Sequence, residues 1–270
     1  MLSCFGDESS DETSQRVFTV AGVIGNENQW KRLEPQWIAR CGGTPFHAKD
    51  CESDHGDYKN TPHQENQNLY KDLTTLLANS GLVGYAFSID LIAQRDILPN
   101  APDYHYYKGF LQVLEAMYNL SSKHKETVKF TFDSRVESEH NAELLYGQMI
   151  DTMPEWKAHF SSELSFACSR EHPKVQVADL MAREGMKLLD NMIGPVKRPL
   201  RKSYVALSKT GRFHTDVLTR EWFMDYVAKR PAAVKAWGLE DEKYYAWLKQ
   251  KGRVDNMTNM FLWLHATIKK

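Results

Sequence analysis

Residues 82–90, Leu-Val-Gly-Tyr-Ala-Phe-Ser-Ile-Asp, open the part of the chain that decides the fold. The run is predominantly apolar, and Asn79-Ser80-Gly81 just before it supplies a helix stop, so it reads as a strand. From there strand and helix alternate. A helix is expected over 103–122, a strand over 128–132 (Val-Lys-Phe-Thr-Phe), a helix over 137–153, a strand over 164–168 and a helix over 175–192. Such alternation marks an α/β sandwich with helices covering the faces of its sheet.

Upstream, residues 65–78 put Leu69, Leu73, Leu76 and Leu77 on one face and read as a helix. Residues 42–58 are loop-like and contain Phe46-His47-Ala48-Lys49-Asp50. Residues 29–41 carry Trp30, Leu33, Trp37 and Ile38 at helical spacing, with Pro35 marking a kink or an early end. At the N-terminus, the apolar run 1–5 and the β-branched run 16–24 read as antiparallel strands. Beyond Gly194-Pro195 the periodicities are helical and no strand pattern stands out. The expected organisation is a core domain over 1–194 and a helical C-terminal extension over 195–270.

A chain of 270 residues, 42% hydrophobic and 26% charged, is long enough to bury a sizeable core. Its formal net charge of −1 gives no global attraction to polyanions, so nucleic-acid binding would rest on a local basic patch. No apolar run approaches the roughly 20 residues that span a bilayer, which argues against a membrane role. The four cysteines, Cys4, Cys41, Cys51 and Cys168, have no CxxC spacing, and the N-terminus has no secretory pattern. A reduced, cytoplasmic setting is expected.

Three acidic positions stand out because each lies in or beside an apolar segment: Asp7 in Asp7-Glu8-Ser9, Asp133 at the end of the 128–132 strand, and Asp179 within Val175-Gln-Val-Ala-Asp-Leu-Met-Ala182. Buried carboxylates are costly unless something cationic compensates them, and a hard ion such as Mg2+ or Mn2+ does so with oxygen ligands. Two such ions roughly 4 Å apart assist phosphodiester hydrolysis, which needs about three or four acidic residues gathered from distant sequence. Blander roles compete at each position. Asp7 could sit in a turn of the polar run 6–14, Asp133 could cap the next helix, and Asp179 could pair with Arg183 at i+4.

Other polar residues offer less. His47 could touch a scissile phosphate, move a proton or bind a metal, and it could equally be an ordinary loop histidine; Asp50 shares that ambiguity. Asp90 competes with Asp133 for the central-strand position, although a capping role suits it better. Glu184 lies off the helical face of Asp179. Residues 195–215 hold Lys197, Arg198, Arg201, Lys202, Lys209 and Arg212 with no acidic residue, and Tyr204, Phe213 and His214 are interleaved. Cations bind phosphates and aromatic faces stack on bases, so this segment reads as a nucleic-acid rail beside the acidic site or as a solvated basic linker. Lys197, Arg198, Arg201 and Lys202 are its candidate phosphate contacts. The later aromatic residues, Tyr244, Tyr245 and Trp247 among them, read as helix core.

The order of five segments resembles domain-of-unknown-function family 3800: Asp-Glu-Ser near the N-terminus, Phe-Thr-Val-Ala-Gly-Val-Ile, Phe-His-Ala-Lys-Asp, a strand ending Asp-Ser-Arg, and a helix opening Val-Gln-Val-Ala-Asp-Leu. The resemblance covers roughly residues 1–190. It implies a ribonuclease H-like mixed sheet flanked by helices and a metal-dependent nuclease acting on DNA or RNA. Carried onto this sequence, it points to Asp7, Asp133 and Asp179 as catalytic metal ligands, with Glu8 and His47 secondary. Ser10 follows Asp7-Glu8-Ser9 where the family pattern has Gly, and a long loop follows His47. The other class compatible with these residues is a non-catalytic nucleic-acid or protein-binding module that keeps the same fold.

Overall fold

The computed structural model describes residues 1–11, 15–97, 104–134 and 139–229. The first strand, β1 (Leu2–Ser10), pairs antiparallel with β2 (Val17–Asn26), and β2 pairs antiparallel with β3 (Val83–Asp90). On the other side of β1 run β4 (Val128–Asp133) and then β5 (Phe160–Ala167), both parallel. A further strand, β6 (Phe213–Leu218), lies parallel to β3. Among the described residues these make one mixed six-stranded sheet in the order β5-β4-β1-β2-β3-β6. With helices on both faces, this is the α/β mixed sheet expected from the sequence.

Alternation along the strands builds two cores from one sheet. Leu2 and Cys4 of β1, Phe18 and Val20 of β2, and Val128, Phe130 and Phe132 of β4 pack beneath α5 (Tyr104–His124) and α6 (Glu139–Thr152). Ala21 and Val23 of β2 and Ala86 of β3 face the other way. They meet α1 (Glu27–Cys41), α3 (His63–Asn79) and the long α8 (Pro173–Ile193), which crosses β1, β2 and β3. Close approach on the first face requires Gly6, since a Cβ there would stand 2.3 Å from the Phe132 ring.

Three expectations change. The strand at the N-terminus runs on through Asp7 to Ser10 instead of turning after residue 5. Its central place explains this, because β2 offers pairing as far as Ser10↔Phe18 and a buried backbone needs every such bond. The loop-like stretch 42–58 contains α2 (Ala48–Ser53), too short for a periodicity to declare itself. Pro35 does not end α1, whose buried Trp30, Leu33 and Trp37 hold it against the core, with an Asn26/Gln29 capping box at its start.

The boundary at 194 also changes. Residues after it are not only helical: α9 (Lys202–Ser208) and α10 (Arg220–Lys229) flank β6, which belongs to the core sheet. β6 escaped sequence reading because it is an edge strand, with only Phe213 and Leu218 buried and His214 and Asp216 exposed. The aromatic residues of 230–270 lie outside the described residues. Two further short α-helices among the described residues are α4 (Leu91–Ile97) and α7 (Pro154–Lys157). Among the described residues no helix is long and apolar enough to cross a membrane. All four cysteines are free thiols.

Candidate functional site

The parallel register of β1 and β4 runs from Leu2↔Val128 to Gly6↔Phe132, so Asp7 and Asp133 stand side by side one step further on. Both point away from the face that buries Cys4 and Phe132, towards α8. From above, α8 presents Asp179. Asp7 is 7% exposed and Asp179 4%, so neither carboxylate is solvated as a turn residue would be. The sheet and the helix thus gather three carboxylates from the start, middle and later part of the sequence.

Backbone donors fix each of them. The Glu8 N–H donates to Asp7 Oδ1 at 2.7 Å, the Ser169 N–H to Asp133 Oδ1 at 2.8 Å, and the Ala48 N–H to Asp179 Oδ2 at 2.7 Å. Each bond uses one carboxylate oxygen and leaves the second for another partner. Burial, followed by the charges of Asp179, Glu8 and Asp133, holds Asp7 well above the usual carboxylate range. Burial also raises Asp179, opposed by the charge of His47, the Ala48 hydrogen bond and the more distant Arg183, while Asp133 adds to the rise. The group is therefore short of positive charge.

His47 precedes α2 and stands at the rim: its side chain is half-exposed, Nδ1 lies 3.0 Å from Asp50 Oδ2, and its charge acts on Asp179. Asp50 supports His47 and remains outside the carboxylate group. Glu8 corrects an expectation. Strand alternation places its side chain on the opposite face of β1 from Asp7, so it reaches the site through its N–H and its charge. Asp90 caps α4, accepting the Ala93 N–H at 2.9 Å. Arg183 turns to Glu52 at 2.7 Å, and no direct pair with Asp179 forms. Glu184 is fully buried elsewhere and accepts the Tyr70 hydroxyl at 2.6 Å.

The donor set is all carboxylate oxygen, the chemistry that hard divalent ions take. Among the described residues no three acidic, His or Cys side chains yet converge to ligate one ion as they stand. The surplus negative charge of Asp7, Asp133 and Asp179 and their oxygen donors suit such an ion in kind.

The basic segment departs from expectation in two ways. Arg201 is not offered to solvent: its guanidinium pairs with Glu52 and with Glu184 at 3.1 Å and stacks over Tyr70. Nor do Lys197 and Arg198 flank the acids. They follow the end of α8, and Ile193 lies about 21 Å along the helix from Asp179 at 1.5 Å per residue. There the Lys197 ammonium donates to the Met192 carbonyl, and the Arg198 backbone exchanges hydrogen bonds with the Asn191 side chain. Lys202 is exposed at the start of α9.

Sequence reading missed Gln176, one helical turn before Asp179. Its Oε1 accepts from the Trp37 indole and the Phe46 N–H, and its Nε2 donates to the Ser169 carbonyl. It thereby ties together the two loops whose amides hold Asp179 and Asp133. A polar residue among Val175, Val177 and Ala178, three positions from an acid, was the available signal.

No protein-family model matches the chain, and no curated protein matches it. Among solved structures, a chain of the PCNA:RNase HII complex from Archaeoglobus fulgidus aligns with a TM-score of 0.37 at 11% identity, covering 78% of this chain and 91% of that chain.

Proposed function

We propose that this protein is a divalent-metal-dependent nuclease that hydrolyses phosphodiester bonds in DNA or RNA at the Asp7, Asp133 and Asp179 carboxylates. The observation that carries the reading is Asp7: it is buried, repelled by its acidic neighbours and held above the ordinary carboxylate range. An acid in that state needs either a proton or a cation. Magnesium or manganese, when bound, would polarise a phosphoryl oxygen and lower the pKa of a water.

The protein's own residues do the positioning. Asp7 and Asp133 occupy neighbouring strands of one sheet, and the amides of Glu8, Ser169 and Ala48 each take one carboxylate oxygen and leave the other for an ion. His47, half-exposed and supported by Asp50, stands where it meets a substrate phosphate or accepts a proton at the rim. The order of motifs resembling domain-of-unknown-function family 3800 agrees with this reading.

The test is cleavage of labelled single- and double-stranded DNA and RNA by purified protein with magnesium or manganese. Asp7→Asn and Asp179→Asn should abolish cutting while circular dichroism shows an intact fold, because an amide keeps the shape and loses the charge that holds the ion. Equal cleavage by wild type and both variants would overturn the assignment. Binding without cleavage under all conditions would make the protein a nucleic-acid-binding module.

A further inference from the structure

Away from the carboxylates, a cleft of about 250 Å³ lies between the C-terminal half of α8 and the strap formed by residues 194–204. Its charged lining is Arg16, Lys187, Arg198 and Arg201 against Glu52 and Asp190, an excess of two positive charges. The acids are already committed: Asp190 pairs with Arg16, and the Glu52 carboxylate is shared by Arg183, Arg201 and, at 3.7 Å, Lys187. The Arg198 guanidinium forms no ion pair among the described residues. Burial, then the charges of Arg183, Arg201 and Arg198, hold the Lys187 ammonium below its ordinary value, while Glu52 pulls the other way. Val196 and Leu200, 63% and 53% exposed, form an apolar rim beside Tyr204.

We infer that this cleft is a binding site for a phosphate monoester, with Lys187 and Arg198 contacting the phosphoryl oxygens and the Val196–Leu200 rim covering the organic part of the ligand. Two surplus positive charges match the dianion of a monoester better than the single charge of a backbone diester. Guanidinium forks and a lysine are the groups that recognise phosphoryl oxygens. The rim explains why an ester suits the cleft better than free phosphate. The monoester comes from a free nucleotide-like molecule or from the terminal phosphate of a nucleic-acid strand, and the chemistry is shared.

The inference stands apart from the metal site, since Lys187 is eight residues, or about 12 Å along α8, beyond Asp179. Calorimetric titration at low ionic strength would use inorganic phosphate, a nucleoside monophosphate, and one oligonucleotide with either a 5′-phosphate or a 5′-hydroxyl. The wild type should bind the monophosphate saturably and more tightly than inorganic phosphate. Arg198→Ala and Lys187→Gln should each weaken it by about tenfold or more, the scale of a charged hydrogen bond. Asp7→Asn should bind it unchanged, which separates this site from the nuclease reading. A 5′-phosphate preference lost in Arg198→Ala would identify a strand end, and its absence alongside monophosphate binding a free monoester. No saturable monophosphate binding, or equal affinity in wild type and both variants, would overturn the inference.

Discussion

Replacing Asp7 by Asn should stabilise the metal-free protein, an uncommon result for a buried polar residue. The amide keeps the oxygen that accepts the Glu8 N–H, so the local hydrogen bond survives. What disappears is the cost of burying a charge and, after it, the repulsion of Asp179, Glu8 and Asp133. Asp7 and Asp133 stand on adjacent strands about 4.8 Å apart, where two unit charges at an effective dielectric of about 20 repel by roughly 3 kcal/mol. Asp133 is only half-buried, and solvent screening reduces its share to about 1–3 kcal/mol; burial and the charges of Asp179 and Glu8 act in the same direction. At about 2–4 °C per kcal/mol for a domain of this size, the melting temperature should rise by roughly 2–12 °C near pH 8.

The pH dependence has a definite sign. Because the folded-state pKa of Asp7 is raised, the native protein binds more protons than the unfolded chain, and stability falls as pH climbs from the unfolded carboxylate value of about 3.9 through the raised native one. The advantage of the variant should therefore nearly vanish near pH 4 and open as pH rises. Manganese or magnesium should reverse the ranking. An ion at a hundred times its dissociation constant stabilises the wild type by about 2.7 kcal/mol and leaves the variant largely unmoved. Differential scanning fluorimetry across pH, with and without metal, reads all of this. A variant less stable than wild type at about pH 8 without metal, or one that keeps the full metal-induced shift, would refute the reasoning.

Arg201→Ala should cost about 2–4 kcal/mol in urea unfolding, because it strands the buried Glu184 and one bond to Glu52; unchanged stability would return Arg201 to the solvent-facing role that its sequence context suggested. Gly185→Ala should destabilise by about 1–2 kcal/mol even after the gain in helix propensity. The new Cβ would meet the Ala86 Cβ at 2.8 Å and Thr19 Cγ2 at 3.1 Å, lifting α8 from the sheet that carries Asp7. A neutral or stabilising result there would mean that α8 has room to shift.

The sequence by itself determined the elements whose periodicity repeats over several residues: the strands at 83–90 and 128–133, the helices α3 and α8, and the alternation that makes the protein α/β. It also singled out Asp133 and Asp179, because a carboxylate ending or interrupting an apolar segment contradicts its surroundings in a way that is visible locally, and Asp7, because it directly follows the apolar opening of the chain. Tertiary structure alone decided everything that depends on a partner distant in the chain. Asp7 lies in a polar run and becomes strand only because β2 and β4 pair on either side of it. Residues 213–218 join the sheet because β3 leaves an edge beside them. Arg201 looks like its basic neighbours until Glu52 and Glu184 claim it from α2 and α8. Periodicity reports which face of an element is buried. Register and charge pairing are set by which other element arrives there, and no local pattern carries that information.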